Sequence, residues 1–224
     1  MTREQPRRLA MTVDIPPLNP MEPNPKSLPE QNARRWNSPY DALGLEPLVS
    51  VFITQPAYSR ICLHSVSDMD NEVGGFMLGE WSADESSGKQ FIVVEHVIHA
   101  RHTRQSGVHL TFTQDSIVEI HREIDAHYAG KKIVGWYHTH PRMGIFLSHY
   151  DTWLHKYFFP EPWQVALVIE PHTKAGGLFI RQANGLFDPS RYFGFHELGG
   201  AAGNSLVFWT NLTPEEEEGE KTNE

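Results

Sequence analysis

His138 and His140 stand two apart at the end of an apolar run, and Ser148 and Asp151 follow within eleven residues of the second histidine. On an extended backbone, residues two apart project to the same face, so the two imidazoles can share one metal ion. Ser148 with an acid three residues on has the form of a capping box, with Asp in place of the usual Glu or Gln. That arrangement opens a helix at Ser148 and sets Asp151 in its first turn, facing back toward the strand end. Two neutral nitrogens and one carboxylate leave one position open on a tetrahedral Zn²⁺, the pattern of a catalytic rather than a structural site. The chemistry implied is hydrolysis by metal-activated water.

Such a site needs a strand to deliver the histidines and a helix to deliver the acid. Residues 133–137, Ile-Val-Gly-Trp-Tyr, read as the strand, and Pro141, which lacks an N–H, suits its exit. The helix runs from Ser148 to Phe158 and ends before Pro160-Glu161-Pro162. Upstream, 48–53 reads as a first strand and 55–66 as a helix whose apolar stripe carries Tyr58, Ile61, Cys62 and Val66. After a turn at 68–71, residues 72–79 form a Gly-rich apolar strand whose glycines allow another backbone to approach closely. Residues 90–100 alternate as a strand. Residues 113–129 form the best-patterned helix, with Thr113 as N-cap, Ile117, Ile120, Ile124 and Tyr128 as its stripe, and Gly130 as its stop. Two further strands fall at 163–169 and 177–182. Beyond Asn184, Phe187, Tyr192, Phe193 and Phe195 suggest a loop packed on the domain, and 206–209 a final apolar element. His96, His99, His102 and His109 are irregularly spaced with no acid in register, so they read as rim or surface residues and not as a second metal site.

The chain has 224 residues, 39% hydrophobic and 21% charged, enough for one core. Seven prolines in the first thirty positions predict a disordered or extended segment over 1–45, with the domain at 46–210 and an acidic disordered tail at 211–224. The net charge of −9 argues against non-specific nucleic-acid binding, and six Glu against one Lys in the last twelve residues supply much of it. No apolar run is long enough to span a bilayer, so no membrane partner is expected. The single cysteine, Cys62, excludes an internal disulfide and a Cys-based zinc cluster, and it points to a reducing compartment such as the cytoplasm.

The run Val134-Gly135-Trp136-Tyr137-His138-Thr139-His140-Pro141, then Ser148-x-x-Asp151, with Glu72-x-x-Gly-x-Met-x-Gly upstream, resembles the JAMM (MPN+) metalloprotease family. The resemblance implies an α/β (α+β) fold of MPN/JAB, cytidine-deaminase-like type: a central mixed sheet flanked by helices. It implies Zn²⁺ on His138, His140 and Asp151, Glu72 as the general base and acid, and Ser148 as a stabiliser of the oxyanion. It further implies cleavage of peptide or isopeptide bonds after the C-terminal Gly-Gly of a ubiquitin-like protein, free or conjugated. Trp136, Met143, Ile145 and Phe146 are the candidate substrate contacts. Eukaryotic relatives usually carry Gly at Arg142, Cys at Ile145 and Trp at Phe146. Two other readings are a peptidase that frees a sulfur-carrier-type small protein and a non-catalytic MPN scaffold.

Overall fold

The strand that bears His138 sits inside a mixed sheet because its neighbours are apolar on both faces. The computed structural model describes residues 21–100, 114–199 and 204–215. In chain order these form β1 (Asn24–Pro25), β2 (Ala33–Asn37), β3 (Ser50–Thr54), α1 (Gln55–Ser65), β4 (Gly74–Ala83), β5 (Gln90–His99), α2 (Gln114–His127), β6 (Lys132–Thr139), α3 (His149–Phe158), β7 (Val165–Glu170), β8 (Ala175–Phe179), β9 (Phe195–Leu198) and β10 (Thr213–Pro214). The sheet order is β10-β2-β9-β3-β5-β4-β6-β7-β8, with β1 on β4. The β3–β5, β3–β9, β6–β7 and β1–β4 pairs are parallel and the others antiparallel. This is the expected mixed α+β architecture.

β4, β6 and β7 are almost wholly buried, which explains their near-continuous apolar sequences. α1 opens at Thr54, whose hydroxyl accepts from the Ala57 N–H, with Pro56 in the first turn, and it buries Ala57, Tyr58 and Ile61. α2 buries Ile120 and Ile124, as its stripe predicts. Thr113, His102, His109 and the loop expected at 101–107 lie outside the described residues. The glycines of β4 do permit close approach: a Cβ at Gly75 would overlap the carbonyl oxygen of Ile98 on β5 first, and the Tyr137 ring of β6 second. No described helix is long and apolar enough to cross a membrane.

Two sequence expectations fail at one edge of the sheet. Residues 33–37 are not a segment outside the domain: β2 pairs with β9 and β10, and Trp36 is only 8% exposed. Residues 195–198 are not loop but strand β9, inserted between β2 and β3. β10 likewise extends the sheet past position 210. The reason is Glu197, buried in β9. Its carboxylate accepts from the Trp36 indole N–H (3.2 Å), the Gln55 amide (3.0 Å), the Ser205 hydroxyl (2.6 Å) and the Leu206 N–H (2.7 Å). Ser38 adds a hydrogen bond to the Tyr192 carbonyl at 2.8 Å. Residues 206–209 carry no regular structure, although Trp209 is buried and the Phe208 N–H donates to the Tyr58 hydroxyl.

Trp36→Ala should therefore cost about 3–5 kcal/mol, the usual range for a core tryptophan. Chemical denaturation should show a lower midpoint at unchanged slope; a midpoint equal to the parent's would mean that β2 is dispensable.

Candidate metal centre

β6 ends at Thr139, with His138 paired to Gly74 of β4 on one side and Val168 of β7 on the other. His140 lies one residue past the strand, and its N–H donates to the Ile169 carbonyl at 2.8 Å. Alternation does as the spacing predicts: both rings turn to one side, and their Nε2 atoms approach to 2.9 Å. Ser148 caps α3 with an extended backbone (φ −66°, ψ 170°). Its hydroxyl accepts from the Asp151 N–H at 3.1 Å, and the Asp151 Oδ2 accepts from the Ser148 N–H at 2.7 Å, a complete capping box with Asp in the third position. That fold-back presents the Asp151 carboxylate to His138 Nε2 (3.4 Å) and His140 Nε2 (3.5 Å).

These three buried residues form a group able to hold a metal ion. Ligand atoms on a tetrahedral Zn²⁺ with bonds of about 2.0–2.1 Å lie roughly 3.3 Å apart, close to the separations here, so the donor set fits. Electrostatics agree. Burial pushes the His138 imidazole below its ordinary value, against the pull of Asp151, which leaves a neutral ligand nitrogen at pH 7. Burial raises the Asp151 carboxyl, but hydrogen bonding from His138 and His140 outweighs it and holds the group well below the usual carboxylate range.

Glu72 lies in the turn entering β4, not in the strand itself, with its Oε1 3.9 Å from His140 Nε2. Phe146 packs at 4.9 Å against the His140 ring while 36% exposed, and Met143 is 39% exposed. Ile145 is half-buried against the core. Trp136 corrects the expectation of a substrate contact: it is fully buried. Its ring stacks on His138 at 4.5 Å, with the planes 8° apart, and its N–H donates to His155 Nδ1 at 3.1 Å. It supports a ligand and presents no surface to a substrate. His155 escaped the sequence reading, although it lies four residues after Asp151 and therefore on the same helical face. His99 stacks on His64 and His96 packs on Tyr128. The Cys62 thiol is pushed up to about 11 by burial, as suits a packing residue.

An indole N–H only donates, so His155 Nδ1 must be the acceptor and its ring neutral. Burial lowers this imidazole from 6.5 to about 4, with Arg181 adding to the shift, and His196 is lowered likewise by burial and Arg35. The unfolded chain thus binds more protons between these values. Stability should be full above about pH 6.5 and fall as pH drops toward 4, His155 alone contributing on the order of 3 kcal/mol. Urea midpoints of metal-free protein across this range test it; a flat profile would refute it. His138→Ala should separately abolish stoichiometric metal in elemental analysis, and a full complement would overturn the ligand set.

Residues 46–159 match the family model described as JAB1/Mov34/MPN/PAD-1 ubiquitin protease. The 26S proteasome regulatory subunit rpn11 of Schizosaccharomyces pombe is 30% identical over 156 residues, which are 66% of this chain and 48% of rpn11. An NAD(+) hydrolase TcpA from a Theionarchaea archaeon is 39% identical over 69 residues, 30% of this chain and 21% of that protein. The chain thus spans about half or less of the curated relatives it matches. A protein of Desulfitobacterium hafniense solved in solution aligns at a TM-score of 0.45 and 20% identity, over 63% of this chain and 91% of that one. The matched half of the chain contains Glu72, both histidines, Ser148 and Asp151, and the chain belongs to the JAB1/Mov34/MPN/PAD-1 family.

Proposed function

We propose that this chain is a zinc-dependent isopeptidase that hydrolyses the amide bond after the C-terminal Gly-Gly of a ubiquitin-like protein, in a conjugate or a precursor. The observation that carries this reading is the buried His138–His140–Asp151 group with the Glu72 carboxylate 3.9 Å from one of its imidazoles. The substrate class is supported by the family description and by the likeness to rpn11. A scaffold needs neither an intact ligand set nor an acid beside it, so both count in favour of an enzyme over a scaffold. A sulfur-carrier-type substrate would use the same chemistry.

His138, His140 and Asp151 would hold the Zn²⁺, which when bound supplies Lewis acidity, acidifying water toward neutrality and polarising a carbonyl oxygen. Glu72 takes a proton as water oxygen bonds to the scissile carbonyl carbon, then delivers that proton to the amine nitrogen as the C–N bond breaks. The second water hydrogen leaves the new carboxyl group for the amine, so the products are the Gly carboxylate and an ammonium group. The Ser148 hydroxyl receives the Asp151 N–H on its oxygen, which leaves its own hydrogen to donate to the oxyanion. Phe146 and Met143, exposed beside the ligands, would flank the extended tail, with Ile145 behind them, and the tail's backbone would pair with a strand edge.

Glu72→Gln should lower kcat by about 10²–10⁴-fold while keeping one zinc per chain, read by elemental analysis alongside cleavage of a panel of Gly-Gly-linked substrates. A variant that loses the metal would show that Glu72 is a ligand, and one with parental turnover would remove it from the proton path.

A further inference from the structure

Thr139 lies between the two histidines, so alternation turns its side chain away from theirs. It is fully buried. The regular ladder between β4 and β6 stops at the Gly74–His138 pair. Thr139 continues it by one residue: its N–H donates to the Val73 carbonyl at 2.8 Å, and the Val73 N–H donates to the Thr139 Oγ1 at 2.9 Å. A regular antiparallel pair would use a backbone carbonyl for the second bond. Because the hydroxyl takes its place, the chain can leave the ladder at Val73 without stranding that N–H. Glu72 is the next residue out, and it is there that its carboxylate comes within reach of His140.

We propose that Thr139 is the positioning residue for Glu72: its hydroxyl ties the segment that bears the acid to the strand that bears the metal ligands, so the two are held as one body. The role rests on Glu72 as the proton carrier. Thr139→Val keeps the shape and removes the acceptor, whereas Thr139→Ser keeps the hydroxyl.

The test uses the full, zinc-loaded chain. Hydrogen exchange at the Val73 amide, zinc affinity by chelator competition, and kcat and KM on ubiquitin carrying a fluorogenic C-terminal amide are measured for the parent and both variants. In Thr139→Val the Val73 amide should exchange about fivefold faster or more, as loss of one hydrogen bond implies. Zinc affinity should stay within about twofold, because all three ligands remain. The kcat should drop about 10–100-fold at unchanged KM, the usual cost of a misplaced group. Thr139→Ser should restore both exchange and kcat. Parental exchange and kcat in Thr139→Val would overturn the proposal, as would a loss of zinc affinity in step with kcat, which would make Thr139 a support for the ligands instead. A parent chain inert on the amide would count against the isopeptidase reading on that probe, and exchange with zinc affinity would still decide the role of Thr139.

Discussion

The Asp151 carboxylate is the constraint on which the site depends. A carboxylate out of water is costly unless it is paired and hydrogen-bonded. This one answers the Ser148 N–H at the start of α3 and the two imidazoles at the end of β6. One side chain therefore fixes where the helix begins and how far it sits from the strand. The two Nε2 atoms at 2.9 Å add a second condition. Two lone pairs at that distance repel, so either one ring carries its hydrogen on Nε2 or a cation lies between them.

The rings are held by packing more than by polar contacts. Histidine ligands ordinarily donate their second nitrogen to a carboxylate or carbonyl, yet among the described residues neither His138 Nδ1 nor His140 Nδ1 has a partner. His138 instead lies flat against Trp136, and His140 packs against Phe146. Trp136 is fixed in turn by the His155 acceptor, whose ring stacks on Phe187 at 4.7 Å. Asp151 and His155, four residues apart on one face of α3, thus tie the helix to β6 at two points, the histidine pair and the Trp136 N–H.

The parts of the molecule legible in the sequence are those governed by local periodicity. The strand at 133–137, the capping box at Ser148 and the stripe residues Tyr58, Ile61, Ile120 and Ile124 depend on spacing alone and lie where spacing puts them, whereas Val66 falls past the end of α1 and is exposed. β9 was not legible, because Phe195-His196-Glu197-Leu198 places two ionisable residues in a buried strand. Only the fold supplies what satisfies Glu197: the indole of residue 36 and the amide of residue 55 stand far away in sequence, and the chain must turn back on itself to bring in the segment at 205–206. β2 was hidden for the complementary reason, since its value lies in covering β9. Family resemblance picks out Glu72, although the strand expected from residue 72 begins two residues later, at Gly74.

Arg142 shows how a departure from the family pattern is accommodated. It stands where the resemblance expects Gly, and it adopts φ 61°, the left-handed region that costs a side chain about 1–2 kcal/mol. Glu170, buried at the end of β7, offsets that cost by accepting the Arg142 N–H at 2.9 Å, and the same carboxylate accepts the N–H groups of His172 (3.0 Å) and Thr173 (2.8 Å). Burial alone would raise Glu170, but these bonds outweigh it and bring the group to about 2, so it is anionic whenever the fold is intact. The turn it organises reaches further: His172 Nε2 lies 2.8 Å from the Met69 carbonyl, and the Arg142 guanidinium lies 3.0 Å from Asp70. Both contacts fall on the turn that leads to Glu72. The loop after His140 and the turn before Glu72 are thus joined through one buried carboxylate, which explains how the backbone at position 142 can keep a glycine's conformation without a glycine.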